Sequence, residues 1–210
     1  MFAFARQRNI ILASAVLLGV LVTFIVWSII AGFSAGAEPS DGSLPLLPAS
    51  TDGVVEIAAM VDGHAISRFR LEGTLASSRT QGSGLSVEEV LDGLIDYELL
   101  YLEGLRRGLE PGPDELDAAI AFNRDNVPHE AIEQALAYSE RLGVRINEKE
   151  YWDHPSVRDG LKKALTVGKA RTALEGSDPA RRSESLSHEM TKLREAADIQ
   201  RDQQVIARVR

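Results

Sequence analysis

Apolar residues follow two regimes along this chain. From Ile10 to Phe33, "IILASAVLLGVLVTFIVWSIIAGF", they run for 24 residues without a charge. From about residue 54 they recur at strand or helical spacing among charged positions. The first regime predicts a membrane-spanning helix. At 1.5 Å per residue it reaches roughly 36 Å, enough to cross a hydrocarbon core of ~30 Å with some tilt. The small residues Ala35–Ala37 offer the competing reading of a cleaved signal peptide, but the apolar region of such a peptide runs only about 7–15 residues. Arg6 and Arg8 precede the run and the next basic residue is Arg68. The positive-inside rule therefore puts residues 1–9 in the cytoplasm and everything after the span outside it. Residues 34–53, "SAGAEPSDGSLPLLPASTDG", have no period and are rich in Ser, Gly and Pro, which predicts a linker. As a flexible coil it would span roughly 25 Å.

The second regime opens with a β-rich run, "VVEIAAMV" (54–61), followed by an Asp62-Gly63 turn after which "HAI" pairs back. Ser67 then caps a helix to about Ser78, with Ile66 and Leu71 as its hydrophobic staple. The clearest helix follows. Ser86 and Glu89 form a capping box stapled by Leu85 and Val90, an apolar stripe runs from Val87 to Leu105, and Gly108 closes it. The stripe is wide enough to be packed from two sides, so this is the core helix. Pro111 and Pro113 start "PDELDAAIAFNR", with Leu116 and Ile120 inward. "PHEAIEQALAYSERLG" (128–143) repeats the pattern with Ile132 and Leu136. Asn147 and Glu150 form a second capping box, stapled by Ile146 and Tyr151. Pro155 kinks or restarts that helix, which continues to about Gly176. A last amphipathic helix covers about 181–197, and "ADIQRDQQVIARVR" ends the chain as a strand or a frayed helix.

Charge changes the picture of partners. Residues 38–157 carry 9 basic and 23 acidic groups, whereas residues 158–210 carry 12 and 8. An acidic body repels phosphate backbones, so nucleic acid is not an expected partner. The basic tail is expected to fold back on that body, with Leu186, Met190 and Leu193 covering the groove beside the core helix. Cysteine is absent, which removes disulfides and thiol chemistry from consideration.

Candidate chemistry is sparse. His64, His129, His154 and His188 stand alone, without the i, i+4 or Cys/His spacing of a zinc site. No nucleotide loop, G-x-G-x-x-G or G-x-S-x-G occurs. The pairs Glu88-Glu89 and Asp114-Glu115 sit in first helical turns, where they favour the helix dipole. His64 reads as an exposed turn residue. Catalytic, metal and cofactor residues are therefore not assigned, and the chain is not expected to be an enzyme. Tyr97, Tyr101, Phe122, Tyr138, Tyr151 and Trp152 remain. They are either core packing or the lining of an apolar groove for peptide segments. Tyr151-Trp152 is the best groove candidate, because adjacent positions on a helix face about 100° apart and both are buried only if the helix is enclosed.

The ordered set of elements resembles a family. "VDGHAISRFRLE" is similar to the hydrophobic-Asn/Asp-Gly-x-x-Ile-Ser/Thr opening of the SurA-like N-terminal chaperone domain. "EEVLDGLIDYELLYLEGLRRGLEPGPDELDAAIA" resembles its core helix, glycine stop and following acidic helix. "ALAYSERLG" and "EKEYW…LKKALTVGKARTAL" resemble the next two helices, and "KLREAADI" the closing segment. The match spans 54–176, and the Pro155 break departs from the pattern.

The resemblance implies an all-α domain with a short β opening (54–176), closed by a C-terminal helix and tail (177–210). It implies a holdase for unfolded envelope polypeptides in the periplasm, anchored through residues 10–33 in a bacterial inner membrane. A structural adaptor holding one folded envelope protein is the alternative. The prolyl isomerase domain often found in the family has no counterpart among the 34 residues after Gly176, so isomerase activity is the third reading.

Overall fold

The computed structural model describes residues 55–210, apart from 81, 142–144, 177, 179 and 210. The expected span (10–33) and linker (34–53) lie outside the described residues. Among the described residues no helix is long and apolar enough to cross a membrane.

The domain is mainly helical and opens on a hairpin. Strand β1 (Ile57–Val61) turns through Asp62-Gly63 into β2 (His64–Ser67), with Val61 opposite His64. Asp62 has φ 48° and Gly63 φ 85°. Two positive φ values make the right-twisting two-residue turn that Asp-Gly supplies. Ser67 Oγ accepts the Arg70 N–H at 3.2 Å and starts helix α1 (Arg68–Thr80). Its expected staple is in place, since Ile66 and Leu71 are both fully buried.

Helix α2 (Val87–Arg106) runs through the middle of the molecule. Ser86 and Glu89 form the capping box. At the other end the Leu109 N–H reaches Gly104 O (2.9 Å) and the Gly108 N–H reaches Leu105 O (2.9 Å). These are the paired bonds of a Schellman stop. Of the expected staple, Val90 is buried while Leu85 is 42% exposed. The reciprocal Ser86–Glu89 bonds satisfy this helix start.

Helices α3 (Pro113–Asn126) and α4 (His129–Arg141) follow. The expected second capping box is half right. Asn147 Oδ1 accepts the Lys149 N–H at 3.1 Å, but Glu148–Asp153 is a tight 3-10 turn rather than the first part of an α-helix. Pro155 then starts an independent helix α5 (Pro155–Glu175), and His154 Nδ1 accepts the Ser156 N–H as its cap at 3.3 Å. Pro155 therefore restarts rather than kinks: it occupies a helix's first turn, where its missing N–H removes no bond.

The tail is helix α6 (Arg182–Ala196), strand β3 (Ile199–Arg201) and helix α7 (Gln203–Ile206). Strand β3 pairs antiparallel with β1, giving the order β2-β1-β3. The last residues are therefore both strand and helix. Val205, Ile206 and Val209 are buried in the same core as Ala58, Val61, Leu71, Leu91 and Ile95. A second core joins α3, α4, the 3-10 turn and α5 through Ile120, Ala135, Tyr151, Trp152, Val157 and Leu161. A third lies between α2, α5 and α6.

Candidate functional site

The buried face of α2 carries two carboxylates: Glu103, paired with Arg106 and Arg107 at the helix's own end, and Glu98 in its middle. Glu98 lies four residues after Leu94 and three after Ile95, on the face that meets α1 and α5, and is 1% exposed. An isolated carboxylate there would be strongly disfavoured. It is paired twice: with Arg70 Nη1 from α1, and with Lys163 Nζ from α5 at 2.8 and 2.9 Å. Burial pushes its pKa up, and the two cations outweigh that, holding it at about 2. Arg70 is itself 3% exposed, and its Nε and Nη2 have no hydrogen-bond partner among the described residues.

Tyr97 and Tyr101, one helical turn apart on α2, flank these cations. The Arg70 guanidinium carbon is 5.4 Å from the Tyr97 ring centre, and Lys163 Nζ is 4.5 Å from that of Tyr101. A cation over a ring face is attracted by its quadrupole. His64 completes the cluster. It is half-buried with its ring edge-on to Tyr101 at 6.3 Å, so it is not the exposed turn residue expected from sequence. The sequence reading missed Arg70, Glu98 and Lys163. The signal was present for Glu98 alone, as a carboxylate in step with an apolar stripe.

Beside this cluster the third core is incompletely closed. Helix α6 lies over α2 and α5 but buries no residue fully. Its stripe, Leu186, Met190 and Leu193, is half-covered against Tyr97, Leu100, Val167 and Leu174. A cleft of about 240 Å³ remains, lined by Tyr97, Leu100, Val167, Leu186 and Met190, with Asp96 and Arg171 at its polar margin.

The six candidate aromatics do not form one groove. Tyr97 lines the cleft and Tyr101 is half-buried beside it. Phe122 is 42% exposed on α3. Tyr138 lies on α4, and its side chain is outside the described part of the chain. Tyr151 and Trp152 pack edge-on with ring centres 5.0 Å apart, and both are buried in the second core. Their burial corrects the expectation that one would face a groove. The chain around them is a 3-10 turn enclosed by α3, α4 and α5. That burial also pushes the Tyr151 phenol pKa up.

The fold and site together define a class: a small helical domain, closed by its own C-terminal strand, with a buried ionic cluster beside an apolar cleft. Among the described residues no three His, Asp or Glu side chains are grouped to hold a metal ion. No protein-family profile and no curated protein matches this chain.

Proposed function

We propose that the domain is a membrane-tethered, extracytoplasmic binding module that holds unfolded or extended polypeptide reversibly and without nucleotide, in the manner of a chaperone. The observation that carries this reading is the cleft under α6. Its walls are apolar and aromatic, its polar groups sit at the margin, and its roof is an amphipathic helix only half-buried. Burying one aliphatic client side chain there would contribute roughly 1.5–3 kcal/mol, which gives weak and reversible capture. The tether would keep such capture at the membrane surface.

The test is suppression of aggregation of a chemically unfolded envelope protein by the full chain in detergent micelles. Leu186→Asp, which places a charge in the cleft wall, is expected to weaken suppression severalfold. Equal protection by wild type and variant, or none by either, would sink the reading.

One observation favours an adaptor for a single folded partner. Leu85 and Phe122 are the large hydrophobic residues exposed among the described positions, and much of the remaining surface is ion-paired. Crosslinking in the membrane separates the two readings. Many clients support the chaperone, and one stoichiometric partner supports the adaptor.

A further inference from the structure

The sheet ends on an uncovered edge. In the β1–β3 ladder the Asp62 N–H donates to Asp198 O at 2.9 Å and the Asp202 N–H to Ala58 O at 3.0 Å, with Met60 opposite Gln200 between them. Antiparallel ladders alternate, so if Asp198, Gln200 and Asp202 turn their peptide groups toward β1, Ile199 and Arg201 turn theirs away. No strand lies beyond β3 among the described residues, and Gln200 and Arg201 are exposed. The outward N–H and C=O groups of these two residues are what another extended backbone matches. The strand contains neither Lys nor Pro, two residues by which natural edges are blunted.

Two neighbouring features fit such a guest. An open cleft of about 570 Å³ runs along β1, β3 and the start of α7, lined by Ile57, Met60, Gln200, Gln203 and Gln204 among others. It gives room for side chains of an added strand. Three carboxylates bracket the edge: Asp62, Asp198 and Asp202. None has a cationic partner among the described residues, although Asp62 accepts the Asp198 N–H and Asp202 caps α7. Arg201, the cation on the strand itself, is engaged by Asp92 at 2.6 Å.

We propose that the outer edge of β3 binds an extended polypeptide segment as a fourth strand, and that it selects segments carrying Lys or Arg on either side of apolar, β-branched residues. This rests on the polypeptide-binding reading above and gives it a main-chain recognition site. A second copy is the less suitable occupant. Two-fold pairing about Gln200 would set Asp198 against Asp202 of the other copy, and like charges directly opposite destabilise a ladder. Three residues of edge make few bonds, which suits transient rather than permanent pairing.

The probe is a fluorescent heptapeptide, Lys-Val-Thr-Val-Thr-Val-Lys, titrated by anisotropy onto the full chain in micelles. Three comparisons carry the test. The same peptide with every amide nitrogen methylated keeps its side chains and loses its donors, and binding is expected to fall more than about tenfold, as loss of several hydrogen bonds requires. Replacing both lysines by glutamate is expected to weaken binding by a similar factor. Arg201→Pro removes an outward N–H and is expected to bind about three- to tenfold more weakly than Arg201→Ala, which loses the same ion pair.

Equal binding of the methylated peptide overturns the edge site and leaves the polypeptide-binding reading standing. Failure of wild type to bind any unfolded polypeptide removes that reading and this one together. If Arg201→Pro does not fold, the methylated peptide decides alone. A wild-type dimer that Arg201→Pro converts to monomer would make a second copy the occupant and overturn the proposal.

Discussion

Glu98 is ionised where water does not reach it, and two consequences follow at the scale of single residues. Its pKa is held at about 2, below the ordinary 4.5. A depressed carboxylate stabilises the fold above its unfolded pKa, and that contribution disappears as pH falls from 4.5 towards 2. The shift corresponds to about 3 kcal/mol, a large share of a total of about 5–15. Acid unfolding is therefore expected within this window. Glu98→Gln leaves Arg70 and Lys163 buried without their counter-charge, which should cost about 3–5 kcal/mol at neutral pH and flatten the pH dependence below 4.5. Thermal melts at pH 7 and pH 3 check both, and a variant that keeps the wild-type acid slope would remove Glu98 as its cause. The second residue is Gly104. A Cβ there would meet Thr166 Cγ2 at 2.6 Å and Thr166 O at 3.1 Å. Thr166 is β-branched and its Oγ1 is bonded to Lys162 O at 2.9 Å, so it cannot swing aside freely. Gly104→Ala gains up to ~1 kcal/mol of helix propensity but forces α2 and α5 apart, a strain of typically ~1–3 kcal/mol. A net loss is expected, and adding Thr166→Ser, which removes the clashing methyl, should restore most of it.

At the scale of elements, what the sequence revealed was what neighbouring residues decide. The Ser86–Glu89 box, the glycine stop at Gly108, the break at Pro155 and the end at Gly176 are all local chemistry, and each stands where the pattern put it, although the pattern left open whether Pro155 kinks or restarts the helix. Apart from the docking of Leu186, Met190 and Leu193 beside the core helix, which the basic tail and its apolar stripe foretold, what escaped were pairings between distant residues. Strand β3 is only Ile199–Arg201, too short to show a period of two, and its partner β1 lies about 140 residues earlier. An apolar stripe states which face must be covered and not which element covers it. Tyr151 and Trp152 therefore looked like groove residues until α3, α4 and α5 were seen to enclose them. Of the candidate site, Tyr97 and Tyr101 were legible as aromatics on one helix face. Arg70 and Lys163 were not, because a lone cation on an amphipathic helix ordinarily points to solvent. The distant pairing yields a prediction. Val205, Ile206 and Val209 are 5%, 5% and 8% exposed within the core that holds the hairpin. At roughly 1.5–3 kcal/mol each, their loss approaches the whole stability of a domain. A chain ending at Gly176 should lose cooperative unfolding by circular dichroism, and one ending at Ala197 should be severely destabilised although it keeps α6. A fragment to Gly176 that melts like the full chain would show the tail to be a free arm.

For the molecule as a whole, the basic tail closing on an acidic body raises the question of which force holds it there. Ion pairs do cross the seam: Arg194 with Asp96, Arg201 with Asp92 and Arg208 with Glu56, each at 2.6 Å. They leave a mark on the groups involved. The hydrogen bond to Asp96 raises the Arg194 pKa, and the hydrogen bond from Arg68, aided by Arg208, lowers that of Glu56. Yet all six side chains are about a third or more exposed. Pairs of that kind contribute about 0.2–1 kcal/mol each and are screened by salt. Three such pairs are outweighed by the apolar side chains of α6 and α7, of which Val205, Ile206 and Val209 alone contribute roughly 1.5–3 kcal/mol each. Charge therefore steers the tail to its place, and burial keeps it there. Raising sodium chloride to ~1 M, where the screening length is ~3 Å, should lower the melting temperature by no more than about 2–8 °C and leave the tail docked. Hydrogen exchange is the measurement. Amides of α6, β3 and α7 should stay protected at high salt in wild type and become unprotected at any salt in Val205→Asp. Tail amides that exchange freely in high salt, while those of α2 remain protected, would reverse the order of the two forces.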